Sequence, residues 1–158
     1  MTNAGGPGIL CTDACEAGGL IVPEFSEETK HKLRQFLPAS ASVSNPVDMI
    51  ASAGPEEFRR SVDILLGADE IDALIVLTIN VGLADLAEIR GSISSAVLTA
   101  PSKRASEKPV LTCLMDHKKM ADIVVPDGET FPNCVFPEDA ARVLGKMARY
   151  AEWRNRPE

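Results

Sequence analysis

Small residues crowd the start of the chain, where the sequence "MTNAGGPGIL" leads into an apolar stretch. Pro7 suits a first helical position, and the amides at a helix start have no partner within the helix. Neither Gly5 nor Gly6 has a side chain that could cap these amides, and no acid follows in the first turn. We therefore expect the start of this helix to hold an external anion such as phosphate, which the helix dipole favours. The residues of this candidate phosphate site are Asn3, Ala4, Gly5, Gly6, Pro7 and Gly8.

The glycine run differs from the familiar phosphate-binding loops. Its glycines do not follow the G-x-G-x-x-G spacing of dinucleotide-binding turns, and no Lys-Ser or Lys-Thr pair follows as in a Walker loop. The alternative is a tight strand-to-helix turn whose amides bind water. The residues alone leave both interpretations open.

A second candidate lies in the sequence "SNPVDM" at residues 44–49. Asn45 precedes Pro46, which favours an extended backbone, and Asn45 and Asp48 are residue types that bond nearby backbone and shape turns. The same residues, Asn45, Pro46 and Asp48, could instead form a loop that faces an active cleft. Both roles stay open at this point.

The histidines and cysteines offer little chemistry of their own. His31 stands in a polar surface helix, and His117 follows a buried strand in the charged sequence "DHKK", where a solvated loop is expected. The four cysteines are expected to be reduced, buried thiols: Cys11, Cys15, Cys113 and Cys134. We expect no catalytic residue and no metal site in this chain.

Length and charge exclude several classes of protein. At 158 residues the chain fits one domain, and the net charge of −7 argues against a nucleic-acid surface. No apolar run approaches the roughly 20 residues that span a membrane, and no signal peptide is visible. A cytoplasmic location is therefore expected.

Apolar runs and helical patterns alternate along the chain. Strands are predicted at 20–25, 72–80 and 108–116, and helices at 7–17, 26–37, 54–69, 83–99 and 137–156. Residues 38–55 read as a long loop, and 120–136 as a short helix, a turn at Asp127–Gly128 and a short last strand. This alternation predicts an α/β fold with a mostly parallel sheet and helices on both faces. Ligands of such sheets bind at the carboxyl ends of the strands, which here are followed by 3–8, 43–50, 80–84 and the stretch after Asp116.

Several segments together resemble a known family. In order they are "TNAGGPGIL", "DACEAGGL", "FSEETKHKLRQFLP", "SVSNPVDM", "IDALIVLTIN", "KPVLTCL" and "ARYAEWRNRP". They are similar to the third subdomain of NDP-forming acyl-CoA synthetases, the acetate- and succinate–CoA ligase superfamily. That subdomain corresponds to the C-terminal domain of the succinyl-CoA synthetase beta subunit.

The resemblance implies a flavodoxin-like, three-layer fold over residues 1–158. Family members carry a strand directly before the segment that matches "TNAGGPG", and here Met1 stands where that strand would end. The resemblance therefore implies a single domain with a truncated first strand, a fragment of a larger multidomain ligase. An incomplete sheet edge would also favour association with another chain, and a homo-oligomer is one form that this association could take.

The resemblance also implies an activity. In the family, acid, CoA and a nucleoside triphosphate interconvert with acyl-CoA, the diphosphate and phosphate, through an acyl phosphate and a phosphohistidine. Two helix N-termini point at the phosphohistidine, and the helix at Gly6-Pro7-Gly8 matches one of them. The histidine belongs to the preceding subdomain, and neither His31 nor His117 matches it.

The complete enzyme would need further parts. The resemblance implies CoA-binding, phosphohistidine-bearing and ATP-grasp domains or subunits as partners. It also implies CoA, ATP/ADP or GTP/GDP, and Mg for the complete enzyme, and none bound by this chain alone. The alternative function is a non-catalytic regulatory or interaction module of the same fold, such as one fused to a protein acetyltransferase. A receiver domain is disfavoured, because Asn80 stands where a phosphoacceptor acid would be needed.

Overall fold

The computed structural model describes residues 1–100, 107–116, 123–124 and 130–156. The elements within these ranges are α1 (Gly5–Ala17), α2 (Glu27–Arg34), α3 (Pro55–Gly67), β1 (Leu74–Ile79), α4 (Leu86–Leu98), β2 (Val110–Met115), β3 (Ile123–Val124), β4 (Thr130–Phe131) and α5 (Pro137–Arg154).

A parallel ladder between β1 and β2 forms the centre of the sheet. Its register runs from Leu74 opposite Val110 to Ile79 opposite Met115. Single parallel bridges extend it on both sides, with Asn133 beside β2 and with Thr2 beside Asp48. Numbered along the chain, the five strand positions are residues 1–3, residues 47–49, β1, β2 and Asn133. They lie side by side in the order 2-1-3-4-5, which is the order of flavodoxin-like sheets and confirms the predicted α/β class.

Residues 1–3 hold the position between β1 and the segment at 47–49. The Met1 nitrogen donates to the Ile75 carbonyl at 2.9 Å, and the Met1 carbonyl accepts from the Leu77 amide at 2.9 Å. On the other side the Thr2 amide donates to the Val47 carbonyl at 2.8 Å. Three residues thus join two parts of the sheet that lie far apart in sequence.

The Asn3 side chain continues the hydrogen bonding to β1 at the point where the backbone of residues 1–3 leaves the sheet. Its Oδ1 accepts from the Ile79 amide at 2.9 Å, and its Nδ2 donates to the Ile79 carbonyl at 3.1 Å. Asn3 is 3% exposed. A buried amide that bonds both backbone groups of Ile79 lets the chain leave the sheet while the end of β1 keeps its hydrogen bonds.

Helices cover both faces of the sheet. Successive side chains of β1 point to opposite faces, and accordingly Val76 joins a cluster with α2, α3 and α4 while Leu77 joins a cluster with α1 and α5. The first cluster is the larger and includes Phe58 and Ile93. The second contains the thiols of Cys11, Cys15 and Cys113.

The structure departs from the sequence prediction at residues 20–25. The apolar run "LIVPEF" was predicted to be a strand, but it has no ladder partner in the described structure. Pro23 lacks an amide hydrogen, and the second position of the sheet belongs instead to residues 47–49. The run is an extended connection that follows α1, where the Leu20 amide closes the helix on the Cys15 carbonyl.

Other boundaries shift by a few residues. Helix α1 begins at Gly5 rather than Pro7, and α2 ends at Arg34 rather than Leu37. Strands β3 and β4 form a short antiparallel pair where one last strand was predicted. The helix and the Asp127–Gly128 turn predicted near them fall largely or wholly outside the described residues.

Glu70 fastens the start of α2 to the residues before β1. Its Oε1 accepts from the Ser26 amide at 2.8 Å and from the Thr29 hydroxyl at 2.7 Å. Burial raises the pKa of this carboxyl, but the hydrogen bonds from Ser26 and Thr29 outweigh it and lower the pKa to about 2.

Removal of the Asn3 amide is expected to destabilise the fold. Asn3→Leu leaves the amide and carbonyl of Ile79 without partners, and we expect a loss of about 2–3 kcal/mol in the free energy of unfolding, measured by urea denaturation. Ser40→Ala, at an exposed position, is the control and should change it by under about 0.5 kcal/mol. Equal stability of the Leu variant and the parent would contradict this role.

Glu70 is expected to make stability depend on acid. Its carboxylate is favoured in the folded state, so its stabilisation is present above the unfolded pKa and is lost as the pH falls towards 2. Between about pH 5 and pH 2 we expect Glu70 to account for about 1–2 kcal/mol of the loss, reduced from the full shift by solvent screening. Urea titrations at several pH values of the parent and Glu70→Gln measure it, and the variant should show a shallower pH dependence.

Candidate functional site

The N-terminus of α1 lies beside the carboxyl end of β1. Asn3 is bonded to Ile79, the last residue of that strand, and Ala4 is the N-cap with φ −151° and ψ 122°. The Ala4 amide donates to the Thr2 hydroxyl at 3.0 Å, which fixes the turn that precedes the helix. The sequence thus directs a helix start to the edge where α/β sheets bind ligands.

The first amides of α1 are uncapped, as the sequence predicted. The N-cap residue makes no side-chain hydrogen bond, and the first turn contains no acid. Pro7 has no amide hydrogen, and the Gly8 amide reaches back to the Ala4 carbonyl at a long 3.4 Å. The amides of Gly5 and Gly6 are therefore the donors that this helix start can offer to an anion.

The three glycines of the run differ in what surrounds them. A Cβ on Gly5 would lie 3.1 Å from Asp48 Oδ2, and one on Gly8 would lie 3.1 Å from the Thr2 methyl. A Cβ on Gly6 would meet no atom within 4 Å. Gly5 and Gly8 thus allow close packing of the helix start, whereas Gly6 faces open space at the site.

Asp48 shapes the neighbouring loop. Its Oδ1 accepts from the Ile50 amide at 2.9 Å, and Ile50 has φ 63°, a conformation that β-branched residues rarely adopt. This is the turn-forming role that the sequence left open. The same carboxylate lies against Gly5, so it places negative charge beside the N-terminus of α1 and would repel an incoming anion that came close to it.

Asn45 anchors the loop to the extended connection. Its Nδ2 donates to the Pro23 carbonyl at 3.0 Å, and Pro46 packs near Gly8. The structure therefore brings the two predicted sets, residues 3–8 and 45–48, together around the first turn of α1. A role for Asn45, Pro46 and Asp48 in a cleft stays a prediction.

A polar group at the ends of β1 and β2 lies along the same edge. Asn80 Nδ2 donates to Asp116 Oδ1 at 3.1 Å, and Asn80 Oδ1 accepts from the Gly82 amide at 3.0 Å. Among the described residues, Thr78 has a buried hydroxyl without a hydrogen-bond partner, beside a cavity of about 10 Å³ that Asn3 also lines. That volume suits about one water molecule. Thr78 stands inside an apolar run, so the sequence gave no signal for it.

The thiols form part of the core. Cys11, Cys15 and Cys113 are buried, as predicted, and Cys134 is half-buried. The hydrogen bond between Cys11 and Cys15 raises the pKa of Cys11 and lowers that of Cys15, and burial raises the pKa of Cys113 to about 12. A thiol with so high a pKa remains protonated and unreactive at neutral pH.

His31 is exposed on α2, as predicted, and His117 lies outside the described residues. Within the described ranges, no cluster of three or more His, Cys, Asp or Glu side chains could hold a metal ion. The helices described are each too short or too polar to cross a membrane.

Known proteins match the chain over nearly its whole length. The family model described as Ligase-CoA domain matches residues 1–151. The alpha subunit of ADP-forming acetate–CoA ligase II from Pyrococcus furiosus is 34% identical over 96% of this chain and 33% of that relative. ADP-forming acetate–CoA ligase I from Archaeoglobus fulgidus is 32% identical over 96% of this chain and 21% of that relative.

Solved structures agree with the observed fold. A Pyrococcus horikoshii protein superposes with a TM-score of 0.82 at 34% identity, over 96% of this chain and 35% of that one. The apo acetyl-coenzyme A synthetase 1 of Ca. Korarchaeum cryptofilum gives a TM-score of 0.84 at 24% identity, over 96% and 32% of the two chains, which supports the fold alone. The chain thus spans about a fifth to a third of these proteins. Together the family match and the relatives show that the chain belongs to the Ligase-CoA domain family.

Proposed function

We propose that this chain is the phosphoryl-binding domain of an NDP-forming acyl-CoA ligase, with the N-terminus of α1 as its binding element. The observation that carries the proposal is the uncapped start of α1 at the carboxyl edge of the sheet. A family match over residues 1–151 supports the class of enzyme. The finer assignment is the third subdomain, equivalent to the C-terminal domain of the succinyl-CoA synthetase beta subunit.

In this proposal the chain stabilises a phosphoryl group and makes no covalent bond to it. The amides of Gly5 and Gly6 donate to phosphoryl oxygens, and the helix dipole adds a favourable field. Asn3 holds the turn against Ile79, and Asp48 holds the adjoining loop, so the two donors are oriented before the phosphoryl group arrives. Such preorganised donors stabilise a charge that develops during group transfer.

The rest of the reaction belongs to partner domains. The chain spans 33% of a Pyrococcus relative named as a ligase subunit, which supports further CoA-binding, phosphohistidine-bearing and ATP-grasp domains or subunits. The names of the relatives support acetate or a similar small acid and ADP, and one structural neighbour was solved with phosphate and ADP. We assign CoA, nucleotide and Mg to the partners, as the resemblance to the ligase family implies.

A reducing compartment fits the thiols. Cys11, Cys15, Cys113 and Cys134 are all free of disulfides in a structure that buries three of them. We therefore place the proposed enzyme in the cytoplasm, where thiols stay reduced.

Gly6→Asp in the assembled ligase is expected to block the phosphoryl site. The position has open space, so the carboxylate fits without steric strain but competes for the amides and repels the phosphoryl group. We expect acyl-CoA-dependent formation of ATP from ADP and phosphate to fall by at least about tenfold. Gly6→Ala, which adds a Cβ without charge, should retain most activity.

A matched charge change elsewhere separates the site from a general effect. Gly91 also has open space around it, on α4, so Gly91→Asp adds the same carboxylate away from the proposed site. It should leave turnover near that of the parent. Full activity of Gly6→Asp, or equal losses in Gly6→Asp and Gly91→Asp, would reject the phosphoryl-binding role.

The isolated chain is expected to bind phosphate weakly and to show no turnover. In ¹⁵N-labelled protein, inorganic phosphate should shift the amide resonances of Gly5 and Gly6 in the parent, and it should leave the Gly5 resonance unshifted in Gly6→Asp. Addition of the partner domains should restore acyl-CoA-dependent phosphoryl transfer. No shift of these resonances and no transfer in the assembly would favour the non-catalytic interaction module instead.

A further inference from the structure

The packed face of helix α5 consists of small residues. Pro137, Ala140, Ala141 and Gly145 are buried, and a Cβ on Gly145 would lie 3.5 Å from the carbonyl oxygen of Gly18, at the end of α1. Small side chains let the backbone of α5 approach its neighbour closely. Most of the large apolar side chains of α5 lie on other faces of the helix.

These large side chains are exposed along one side of α5. Phe136, Val143, Met147, Tyr150 and Trp153 are between 39% and 61% exposed. The rings of Tyr150 and Trp153 stack, with centroids 5.8 Å apart and an angle of 26° between their planes. Val143, Met147 and Tyr150 fall within about 60° of one another around the helix axis. Single exposed apolar residues are ordinary, but a contiguous set of them marks an interaction site.

An acid and a base continue this set at its two ends. Asp139 comes four residues before Val143, and Arg154 comes four residues after Tyr150, so both lie on the same side of the helix. The side chain of Asp139 pairs with Arg142 at 3.2 Å and is still 40% exposed, and Arg154 is exposed. We call this side of the helix, from Asp139 to Arg154, the α5 stripe.

The α5 stripe is complementary to its own reverse. Asp139 and Arg154 lie equally far from its midpoint, Val143 and Tyr150 also lie equally far from it, and Met147 lies next to it. A second copy of α5, laid antiparallel about that midpoint, therefore places each acid opposite a base and each Val143 opposite a Tyr150. Self-complementary surfaces of this kind form the two-fold interfaces that are commonest among oligomers.

We propose that the α5 stripe is the interface of a symmetric dimer, in which α5 packs antiparallel on α5 of a second copy of this chain. Val143 packs against Tyr150 of the second copy, and Met147 packs beside the two-fold axis. Asp139 pairs with Arg154 of the second copy at both ends, which fixes the register of the two helices. Antiparallel packing also brings the positive N-terminus of each helix beside the negative C-terminus of the other.

The charges of the α5 stripe favour a second copy as its occupant. A partner must present a base opposite Asp139, an acid opposite Arg154 and apolar groups between them, and an antiparallel copy presents all three. The 18 residues of α5 span about 27 Å, and one face of a single helix buries less than the roughly 1,000 Å² of a stable interface. We therefore expect a weak dimer that forms at high protein concentration.

The test measures self-association of the chain by sedimentation velocity up to about 1 mM, a range in which weak dimers form. The parent should dimerise. Tyr150→Ala removes an exposed ring, so the fold should be retained, and the dimer dissociation constant should rise by at least about tenfold.

Exchange of the two end charges tests the register. Asp139→Arg and Arg154→Asp should each raise the dissociation constant by about threefold or more, because each places like charges opposite one another. The double variant should regain most of the parent affinity. The two positions lie 15 residues apart, about 22 Å along one helix, so this recovery can arise only between copies. Glu88→Arg makes the same change in the first turn of α4, and it measures the effect of net charge alone.

Three results would overturn the proposal. One is a parent chain that stays monomeric up to about 1 mM. Another is a double variant that recovers no affinity, which would reject the antiparallel register. The third is a stripe that becomes protected only in the assembled ligase, seen as reduced quenching of Trp153, the single tryptophan of the chain, which would assign the stripe to a partner domain. The inference does not rest on the phosphoryl-binding role, and none of these results bears on the amides of Gly5 and Gly6.

Discussion

The hydrogen bonds of residues 1–3 are the constraint on which the rest of the structure depends. These residues bond to β1 on one side and to the segment at 47–49 on the other, so they unite the sheet across more than seventy residues of sequence. Each helix layer packs on a face of that sheet. Because main-chain bonds are directional, they also fix the direction in which α1 leaves the sheet.

The geometry of the candidate site follows from the same junction. Asn3 ends the backbone pairing and completes the bonding of Ile79 with its own amide, so the chain can turn at once into α1. The close contacts of Gly5 with Asp48 and of Gly8 with Thr2 then seat the helix start against the loop. The donors of the first turn are left at the surface because the N-cap is Ala4, whose side chain cannot accept a hydrogen bond, and because the first turn contains no acid.

Local chemistry explains which parts of this arrangement the sequence predicted. Local signals mark three helix starts: the capping residue Ser26, and the prolines at 55 and 137. Apolar runs at 72–80 and 108–116 mark the two buried strands. The uncapped start of α1 was predicted for the same reason. The run at 20–25 was wrongly predicted to be a strand, because a short apolar run has the same sequence pattern whether it pairs in a sheet or packs against one. The pairing of Asn3 with Ile79 joins residues 76 positions apart, and no local pattern encodes such a contact.

Helix α1 connects the candidate site to the hydrophobic core of the domain. Its first residues carry the candidate anion donors, while Cys11 and Cys15 further along lie in the core cluster that α1 forms with α5. The helix has 13 residues, so it spans about 20 Å as one rigid rod. The contacts of Gly8 with Thr2 and Pro46 therefore also fix the position of the Gly5 and Gly6 amides, which belong to the same helix. The packing of α1 in the core and the orientation of its first amides are thus set by one and the same rigid element.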